Sequence, residues 1–487
     1  MWIAPLPTLD FRRRCAASST TITRRIFVAR TAECVNAVIK AYDVRGVVGE
    51  QIDEAFVRDV GASFARLVRD EAGAARSVVI GHDMRDSSPA LSRAFADGVT
   101  AQGLDVVHIG LASTDQLYFA SGLLECPGAM FTASHNPAKY NGIKLCRAGA
   151  KPVGQDTGLA TVKAELVDGV PEFDGPAGTV TSRDVLTEYA QFLRELVDLS
   201  GIRAMKIAVD AGNGMGGHTV PAVFAPLPVT IEPLFFELDG SFPNHEANPL
   251  DPANLVDLQR FVVETGSEIG LAFDGDADRC FVVDEKGDPV SPSAVTCLVA
   301  ERELAKEPGA VVIHNLITSR AVPELVEKLG GTPVRTRVGH SFIKQQMADT
   351  GAVFGGEHSA HYYFRDFWGA DSGMLAALHV LAAFGAQDRP LSEMMATYET
   401  YSASGEINST VGDAAERTEA VLAAFADRTA GIDRLDGVTV ELADGGWFNL
   451  RASNTEPLLR LNVEARTREE VDALSTEILS IVRAGLE

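Results

Sequence analysis

The stretch SVVIGHDMRDSSPALSRAFADGVTAQGLDVVHIG, residues 77–110, decides the fold class. It begins with a short apolar run, continues over residues 89–102 with a pattern typical of a helix, and ends in a second apolar run. A strand, a helix and a strand in this order predict a βαβ unit. The same order begins again at KIAVDAGNG (206–214) and at AVVIHN (310–315). Repeated βαβ units predict several α/β domains.

The chain has 487 residues, which is too long for a single hydrophobic core. Candidate seams lie near residues 175–181, 284–292 and 402–408. The last part of the chain reads as a helix, three strands and a terminal helix, which is typical of an α+β domain. We therefore predict three α/β domains with mixed sheets and a C-terminal α+β domain. The predicted segments are an N-terminal extension (1–35), domain 1 (36–181), domain 2 (182–285), domain 3 (286–400) and domain 4 (401–487).

Composition excludes several classes of function. The formal net charge is -24, which disfavours nucleic acid and anionic lipid as partners. Apolar residues make up 46% of the chain, but charges and glycines interrupt them everywhere, so no membrane-spanning stretch is expected. The six cysteines show no C-x-x-C spacing, which favours reduced thiols. These features predict a cytoplasmic protein that acts on a small molecule.

The first 35 residues differ from the rest of the chain. They contain six arginines against two acidic residues, Asp10 and Glu33. An Arg-rich, acid-poor start is compatible with a transit peptide, a disordered tail or an upstream start codon included in error. We predict a disordered extension.

The first chemical motif is MFTASHNPAKYNGIK, residues 130–144. An apolar strand end runs into a polar loop, and such loops often hold reactive groups. Ser134 is the candidate nucleophile, and Lys144 lies ten residues on, close enough to fold back across the loop. The alternative is an ordinary Ser/Asn turn.

The second motif is LAFDGDADRCFVVDE, residues 271–285. Asp274, Asp276 and Asp278 alternate with small residues after an apolar strand, so three carboxylates can converge on one Mg²⁺ ion. An EF-hand is rejected because Arg279 occupies the position of its required glycine and residues 281–283 read as a strand. A solvated acidic turn is the remaining alternative.

The third motif is VFGGEHSAHYYF, residues 353–364, where a strand again runs into a loop. Glu357, Ser359 and His361 stand at alternate positions, and the carboxylate and hydroxyl are suited to binding sugar hydroxyl groups. His358 and His361 have the H-x-x-H spacing, but no third zinc ligand is close in sequence, so we favour two loop histidines without a metal.

The fourth motif is WFNLRASNTEPLLRLNVEA, residues 447–465. Arg451, Ser453, Asn454 and Thr455 lie in a loop between two strands. A guanidinium, two hydroxyls, an amide and loop N–H groups together predict a phosphate-binding loop. A plain hairpin would more often use Asn-Gly and would not need the arginine.

From about Ile39 onward the chain carries six motifs in the order that one known family shows, and it therefore resembles the α-D-phosphohexomutase superfamily. The motifs are KAYDVRG, TASHNP with YNGIK, DGDADR, RVGHSFIK, GEHSAHYYF and RASNTEP. The resemblance is to the phosphomannomutase/phosphoglucomutase branch of this superfamily. It implies that Ser134 carries a phosphoryl group and, with Asp274, Asp276 and Asp278, holds Mg²⁺. It also implies the remaining roles: phosphate binding by Arg45 and Arg279, proton transfer by Lys144 and His340, and substrate binding by Tyr42, Glu357, Ser359, His361, Arg451, Ser453, Asn454 and Thr455.

The resemblance further implies four domains around a central cleft. It implies an intramolecular phosphotransferase that interconverts mannose 1-phosphate and mannose 6-phosphate. A hexose 1,6-bisphosphate would be both its intermediate and its activator. Glucose phosphates are expected to react as well, and the protein is expected to be a monomer or small homo-oligomer. A metal-dependent sugar phosphatase and a phosphoglucosamine mutase are the alternatives. The YN pair (Tyr140, Asn141) and the SNT triplet (453–455) favour the hexose branch over the phosphoglucosamine mutases. The chain departs from many relatives at Ala360, where they have glycine, and at Leu316 and Ile317, where they place a lysine.

Overall fold

The computed structural model describes residues 30–71, 75–452 and 458–484. The chain divides into two compact units. One unit runs through Asp288 and also includes Asp366–Ala386, and the other comprises Pro289–Arg365 and the chain from Gln387 onward. In the described part of the chain, no helix is long and apolar enough to cross a membrane.

The first sheet confirms the βαβ unit predicted from residues 77–110. Its strands are β1 (Val44–Val47), β2 (Ser77–His82), β3 (Asp105–Leu111), β4 (Gly128–Phe131), β5 (Tyr140–Arg147), β6 (Lys151–Pro152) and β7 (Val180–Ser182). The helices are α1 (Ala32–Val38), α2 (Glu54–Arg69), α3 (Ser88–Ala101), α4 (Thr114–Leu123) and α5 (Leu159–Asp168). The strand order is β1-β5-β4-β2-β3-β7, with β6 on β5. Strands β4, β2, β3 and β7 are parallel, and β5 pairs antiparallel with both β1 and β4, so the sheet is mixed.

The start of the described chain corrects the predicted extension. Thr31 caps α1 by accepting a hydrogen bond from the Cys34 N–H at 3.4 Å. The Arg30 guanidinium forms an ion pair with Asp59, and the Arg30 N–H donates to the carbonyl of Leu166 at 2.9 Å. Helix α1 also buries Val35 in the core. Residues 30–35 therefore belong to the first domain, because they pack on it, and the rest of the predicted extension lies outside the described residues.

The second sheet follows in the chain. Its strands are β8 (Met205–Asp210), β9 (Val229–Leu234), β10 (Ile269–Phe273), β11 (Cys280–Val283) and β12 (Pro289–Val290), and its helices are α6 (Leu186–Leu196), α7 (Gly216–Phe224) and α8 (Val256–Thr265). The order is β12-β11-β10-β8-β9, with β10, β8 and β9 parallel and β11 antiparallel to β10. All five residues of β10 are buried, which is expected of a parallel strand covered on both faces.

The third sheet lies in the second unit. It has strands β13 (Val311–Asn315), β14 (Thr332–Thr336), β15 (Phe354–Gly356) and β16 (Tyr362–Phe364), with helices α9 (Pro292–Lys306), α10 (Ala321–Lys328) and α11 (His340–Thr350). Strand β13 pairs parallel with both β14 and β15, and β16 pairs antiparallel with β15.

The segment Asp366–Ala386 lies within the part of the chain predicted as domain 3 and is grouped with the first compact unit. It contains β17 (Ala370–Asp371) and α12 (Gly373–Gly385). Nearly every residue of α12 is buried, and the helix contacts β11 and α6. A helix that is apolar on all sides must be covered by other elements on all sides. This explains why the segment packs in the first unit, although the chain before and after it belongs to the second.

The C-terminal part of the chain is the predicted α+β domain. Helix α13 (Leu391–Met395) precedes this domain. Its own helices are α14 (Ala414–Ala424) and α15 (Arg468–Val482), and its strands are β18 (Ser402–Ala403), β19 (Ile407–Thr410), β20 (Thr429–Asp433), β21 (Val438–Leu442), β22 (Trp447–Ala452) and β23 (Leu458–Ala465). The order β18-β23-β22-β21-β20, with β19 on β23, is antiparallel throughout. Helices α14 and α15 pack on this sheet through a core that includes Val421 and Ile478.

The cysteines bear out the sequence prediction in part. Four of them, Cys126, Cys146, Cys280 and Cys297, are buried and free. The prediction of reduced thiols is wrong for Cys34, which is disulfide-bonded.

Candidate active site

Ser134 lies in the loop that follows β4, at the end of a strand buried along its whole length. Its side chain is held inside the protein, with 6% of the residue exposed. The backbone φ of Ser134 is +49°, in the left-handed region that residues with a side chain rarely adopt. The Ser134 N–H donates to the Thr132 hydroxyl at 2.8 Å, which helps to hold this conformation. Unfavourable backbone geometry of this kind is common at functional sites.

The three aspartates lie in the loop that follows β10. Asp274, Asp276 and Asp278 are all buried, and one carboxylate oxygen of each lies within 4.8 Å of the others. A Cβ at Gly275 would come within 2.4 Å of the Ser134 carbonyl oxygen. The small residues between the aspartates therefore allow this loop to approach the Ser134 loop closely.

The two loops are joined at the serine hydroxyl. Ser134 Oγ donates to Asp274 Oδ2 at 2.8 Å. The Arg279 guanidinium binds the same carboxylate oxygen at 2.8 Å and lies 3.4 Å from Ser134 Oγ. The His135 Nδ1 atom lies 2.6 Å from Arg279 Nη2, as an acceptor would. The Ser134 hydroxyl thus meets a carboxylate and a guanidinium that lie 140 and 145 residues further along the chain.

Lys144, on β5, pairs with the other two aspartates. Its Nζ atom lies 2.7 Å from Asp276 Oδ2 and 2.5 Å from Asp278 Oδ2. Burial by itself would lower the pKa of Lys144, but the two carboxylates raise it well above its ordinary value. Burial would raise the pKa of Asp276, but Lys144 and a 2.5 Å hydrogen bond from the Thr114 hydroxyl lower it. Lys144 is therefore an ammonium and Asp276 a carboxylate at neutral pH.

The charges of this cluster fit a divalent cation. Three carboxylates face one ammonium (Lys144) and one guanidinium (Arg279), which leaves a negative charge uncompensated. Burial, together with the neighbouring aspartates, raises the pKa of Asp274 to about 8 although Arg279 lowers it, so without a cation the cluster offsets this charge by retaining a proton, which a bound cation would displace. Asp276 Oδ1 is buried and has no hydrogen-bond partner among the described residues. A hard cation would satisfy both the charge and this oxygen.

Arg45 and Tyr42 lie at the start of the first sheet. The Arg45 guanidinium, on β1, donates to Asn136 Oδ1 in the Ser134 loop and to Asp43 Oδ2, both at 2.5 Å. Arg45 is thus placed beside the serine loop. Tyr42 precedes β1 and is partly buried.

In the second unit, the loop after β15 presents Glu357. Only 2% of this residue is exposed. Its carboxylate accepts hydrogen bonds from Asn315 Nδ2 at 3.1 Å, the Gly339 N–H at 3.2 Å and the Tyr363 hydroxyl at 2.7 Å. Three donors from three segments fix the position of this carboxylate.

Ser359 and His361 lie in the same loop and are partly exposed, with 2.8 Å between Ser359 Oγ and His361 Nδ1. Ala360 between them has φ +62°. Glycine adopts this conformation without strain, so the alanine of this chain stiffens the loop at the cost of a less favourable backbone. His340 is the first residue of α11 and directly follows Gly339, so it adjoins the Glu357 loop.

The predicted phosphate loop lies between β22 and β23. Arg451 on β22 is directly opposite Arg460 on β23, and both bind Glu406, at 3.5 and 3.1 Å. Two guanidiniums share one carboxylate, so a positive charge remains, and the Nε atoms of both arginines are buried without a hydrogen-bond partner among the described residues. This arrangement suits an anion. Ser453, Asn454 and Thr455 lie outside the described residues.

Sequence reasoning did not identify four residues that the structure places at these loops. They are Thr114, His135, Arg460 and Arg85, which binds the Ser134 loop. Arg460 could have been found, because pairing the strands on either side of the RASNTEP loop brings it opposite Arg451. Thr114 and Arg85 carry no local signal, because their partners are distant in sequence.

Comparison with known families matches all four parts of the chain. Residues 36–166, 187–287 and 291–401 match the phosphoglucomutase/phosphomannomutase alpha/beta/alpha domains I, II and III, and residues 406–481 match the C-terminal domain of that family.

Relatives match over most of the chain. The chain is 41% identical to phosphohexose mutases of Xanthomonas campestris pv. campestris, over 88% of this chain and 94% of that protein. It is 39% identical to a phosphomannomutase of Salmonella montevideo, over 91% and 98%. A crystal structure of a phosphoglucomutase/phosphomannomutase family protein from Burkholderia thailandensis superposes with a TM-score of 0.83 at 31% identity, covering 93% of this chain and 98% of that one.

Proposed function

The chain belongs to the phosphoglucomutase/phosphomannomutase family, and on that premise we propose that it interconverts mannose 1-phosphate and mannose 6-phosphate and also acts on glucose phosphates. The observation that carries the proposal is the buried Ser134 hydroxyl, which donates to Asp274 within a cluster of three carboxylates, an ammonium and a guanidinium. The relatives named phosphomannomutases support mannose as the sugar.

The proposed reaction is a relay of one phosphoryl group through Ser134. The bond between Ser134 Oγ and phosphorus breaks as a bond forms between phosphorus and a hydroxyl oxygen of the bound hexose monophosphate. The sugar hydroxyl gives up a proton, and Ser134 Oγ gains one. The resulting 1,6-bisphosphate turns end over end, and the steps run in reverse with its other phosphate. A hexose 1,6-bisphosphate supplied from solution would phosphorylate an unmodified Ser134, so we propose it as the activator.

Phosphate monoesters react slowly in water, so the site must neutralise charge and align the reacting atoms rather than supply a strong nucleophile. Arg279 and Arg45 are proposed to bind the reacting phosphate, since both lie at the Ser134 loop. Lys144 and His340 are proposed for the two proton transfers. Asp276 and Asp278 raise the pKa of Lys144 although burial lowers it, so Lys144 carries its proton at neutral pH.

Magnesium is the proposed metal. Asp274, Asp276, Asp278 and an oxygen on phosphorylated Ser134 would hold it, in keeping with the oxygen ligands that Mg²⁺ prefers. When bound, it supplies positive charge to the transferring phosphoryl group.

The loops of the second unit are proposed to bind the parts of the substrate that do not react. Glu357, Ser359 and His361 would bind ring hydroxyls, together with Tyr42. Arg451, Ser453, Asn454 and Thr455 would bind the phosphate that is not being transferred.

Mannose and glucose differ only at C2. If the Glu357 loop binds the 3- and 4-hydroxyls, replacing mannose by glucose leaves no buried partner of the loop unpaired. Discrimination between the two sugars should then be modest.

A coupled assay tests this function with mannose 1-phosphate, glucose 1-phosphate and glucosamine 6-phosphate, with and without a hexose 1,6-bisphosphate. We expect turnover of both hexose phosphates, stimulation by the bisphosphate and little turnover of the glucosamine phosphate. Release of inorganic phosphate at the rate of substrate consumption would identify a phosphatase instead. Specificity constants that differ by more than about a thousandfold between mannose and glucose would mean that a residue reads C2 directly.

We also propose that the protein acts in the cytoplasm as a monomer or small homo-oligomer. Cell fractionation and light scattering coupled to size-exclusion chromatography test the two parts. Recovery in the membrane fraction, or a large assembly, would contradict them.

A further inference from the structure

Arg85 lies in the loop between β2 and α3, and only 1% of it is exposed. All five N–H groups of its guanidinium have an acceptor. Nε donates to Asp83 Oδ2 at 3.2 Å, Nη1 to the carbonyls of Pro137 and Tyr140, both at 3.0 Å, and Nη2 to the carbonyls of Ser134 at 2.9 Å and Asn136 at 2.6 Å. Four of these acceptors belong to the Ser134 loop, so a single side chain organises that loop from within.

A segment associated with the second sheet closes over this guanidinium. The Phe242 ring lies 5.0 Å from Arg85 Cζ, within the range of a cation–π contact. At Gly240, an added Cβ would come within 2.6 Å of Arg85 Cα, so a larger residue there would displace one of the two chains. The counter-ion Asp83 is fully buried and also accepts from the Ser88 hydroxyl at 2.6 Å. Arg85 is therefore also held by residues outside the serine loop.

The bond to the Ser134 carbonyl has a direct consequence for the hydroxyl. Ser134 holds a left-handed backbone conformation, and its carbonyl points to Arg85 while its Oγ points to Asp274. A residue in an unfavourable conformation keeps it only if the surroundings determine it. Loss of the bond from Arg85 would let the peptide rotate and carry Oγ away from the carboxylate.

We propose that Arg85 is a positioning residue for phosphoryl transfer, which holds the Ser134 loop so that Oγ faces the aspartate cluster. It does not touch the reacting atoms. This inference rests on the proposed function for its kinetic consequence, and on the structure alone for the conformation of the loop.

The substitution Arg85→Lys keeps the positive charge but loses the fork of donors, because an ammonium has three N–H groups and cannot reach all five acceptors. A misplacement of about 1 Å can cost about a hundredfold in rate, so we expect kcat to fall by about that factor with KM for hexose phosphate nearly unchanged. Arg194→Lys is the matched control. Arg194 also donates to two backbone carbonyls, those of Ala222 and Val223 at 3.1 Å, but in α7 rather than in the serine loop, so its kcat should stay near wild type.

Hydrogen exchange of the peptide 131–141 measures the loop independently of activity. We expect faster exchange in R85K than in wild type, with R194K unchanged. Wild-type protein that fails to turn over any hexose phosphate would overturn the proposed function and leave this measurement valid. Wild-type kcat in folded R85K, or a loss of activity that merely follows the unfolded fraction with unchanged loop exchange, would overturn the role of Arg85.

Phe242→Leu provides a second route if R85K does not fold. It leaves the guanidinium bonds in place and removes the aromatic cover, so we expect a smaller fall in kcat and a smaller increase in loop exchange, again without a change in KM. A folded F242L protein with wild-type values of both quantities would contradict the proposal.

Discussion

The Ser134 site and the Glu357 loop are built in different ways. At the Ser134 site the hydroxyl, the three aspartates and Arg279 are all buried, and each is held by a charged or hydrogen-bonded partner from another segment of the chain. In the Glu357 loop Glu357 is buried, whereas Ser359 and His361 are partly exposed. The charged side chains at the proposed reacting atoms are therefore more deeply buried than the side chains of Ser359 and His361, which are proposed to bind the sugar.

The proposed chemistry explains this difference. Charge that develops during phosphoryl transfer is best stabilised by groups that are already in place, because reorganising them would cost free energy at the moment of reaction. The sugar intermediate must bind in two opposite orientations, which favours a recognition loop with fewer fixed contacts. Four changes test this comparison, in order of decreasing effect.

Ser134→Ala should remove nearly all mutase activity, at least about a thousandfold in kcat, because no other group in the relay can carry the phosphoryl group. Intact-mass measurement should find one phosphate on wild type and none on the variant. Ser182→Ala, at an exposed position on β7, is the control and should be fully active and phosphorylated. Full turnover by the Ser134 variant would rule out the relay.

Asp276→Asn removes one negative charge and leaves the side-chain shape. We expect kcat to fall at least about a hundredfold and the magnesium concentration for half-maximal activity to rise, because the cation loses a charged ligand. Asp257→Asn changes an aspartate on α8 that pairs with Arg260 at the surface, and it should have no effect. Wild-type enzyme that is indifferent to a chelator would contradict the metal assignment.

Glu357→Gln tests the other region. A glutamine has one acceptor oxygen and would turn an N–H group toward the donors that now bind Glu357, so we expect KM to rise by about tenfold with a smaller change in kcat. Glu324→Gln, in the same unit, changes an exposed glutamate that accepts from the Tyr401 hydroxyl and serves as the control. A fall in kcat with unchanged KM would show that this loop acts on the chemistry, and the contrast between the two regions would fail.

Deletion of residues 1–29 removes none of the residues named in either region and should change neither kcat nor KM. Deletion through residue 35 also removes the Thr31 cap and the ion pair of Arg30, and loss of a cap alone costs about 1 kcal/mol, so the melting temperature should fall by a few degrees. Calorimetry and steady-state assays in a reducing buffer measure both effects. An activity loss on removal of residues 1–29 would show that the predicted extension takes part in function.

The sequence by itself determined the local structure and the chemical groups. Apolar runs and helical periods predicted the βαβ units, and the α+β character of the last domain followed from the order of its predicted helices and strands along the chain. The motifs around Ser134 and the aspartates marked loops at strand ends, because loops that carry polar groups interrupt the apolar pattern. The family resemblance then assigned each loop a role.

Only the tertiary structure showed which groups meet. The hydrogen bond between Ser134 and Asp274 joins loops of two different sheets, and periodicity along the chain carries no information about such a contact. The same holds for α12, whose apolar surface is buried in the first unit although the chain on either side of its segment belongs to the second unit. Arg85 is the clearest case, because four of its five acceptors are backbone carbonyls. Every residue has a carbonyl, so an arginine that binds them reads in the sequence as an ordinary polar loop residue, and its role emerges only when folding buries it beneath the loop.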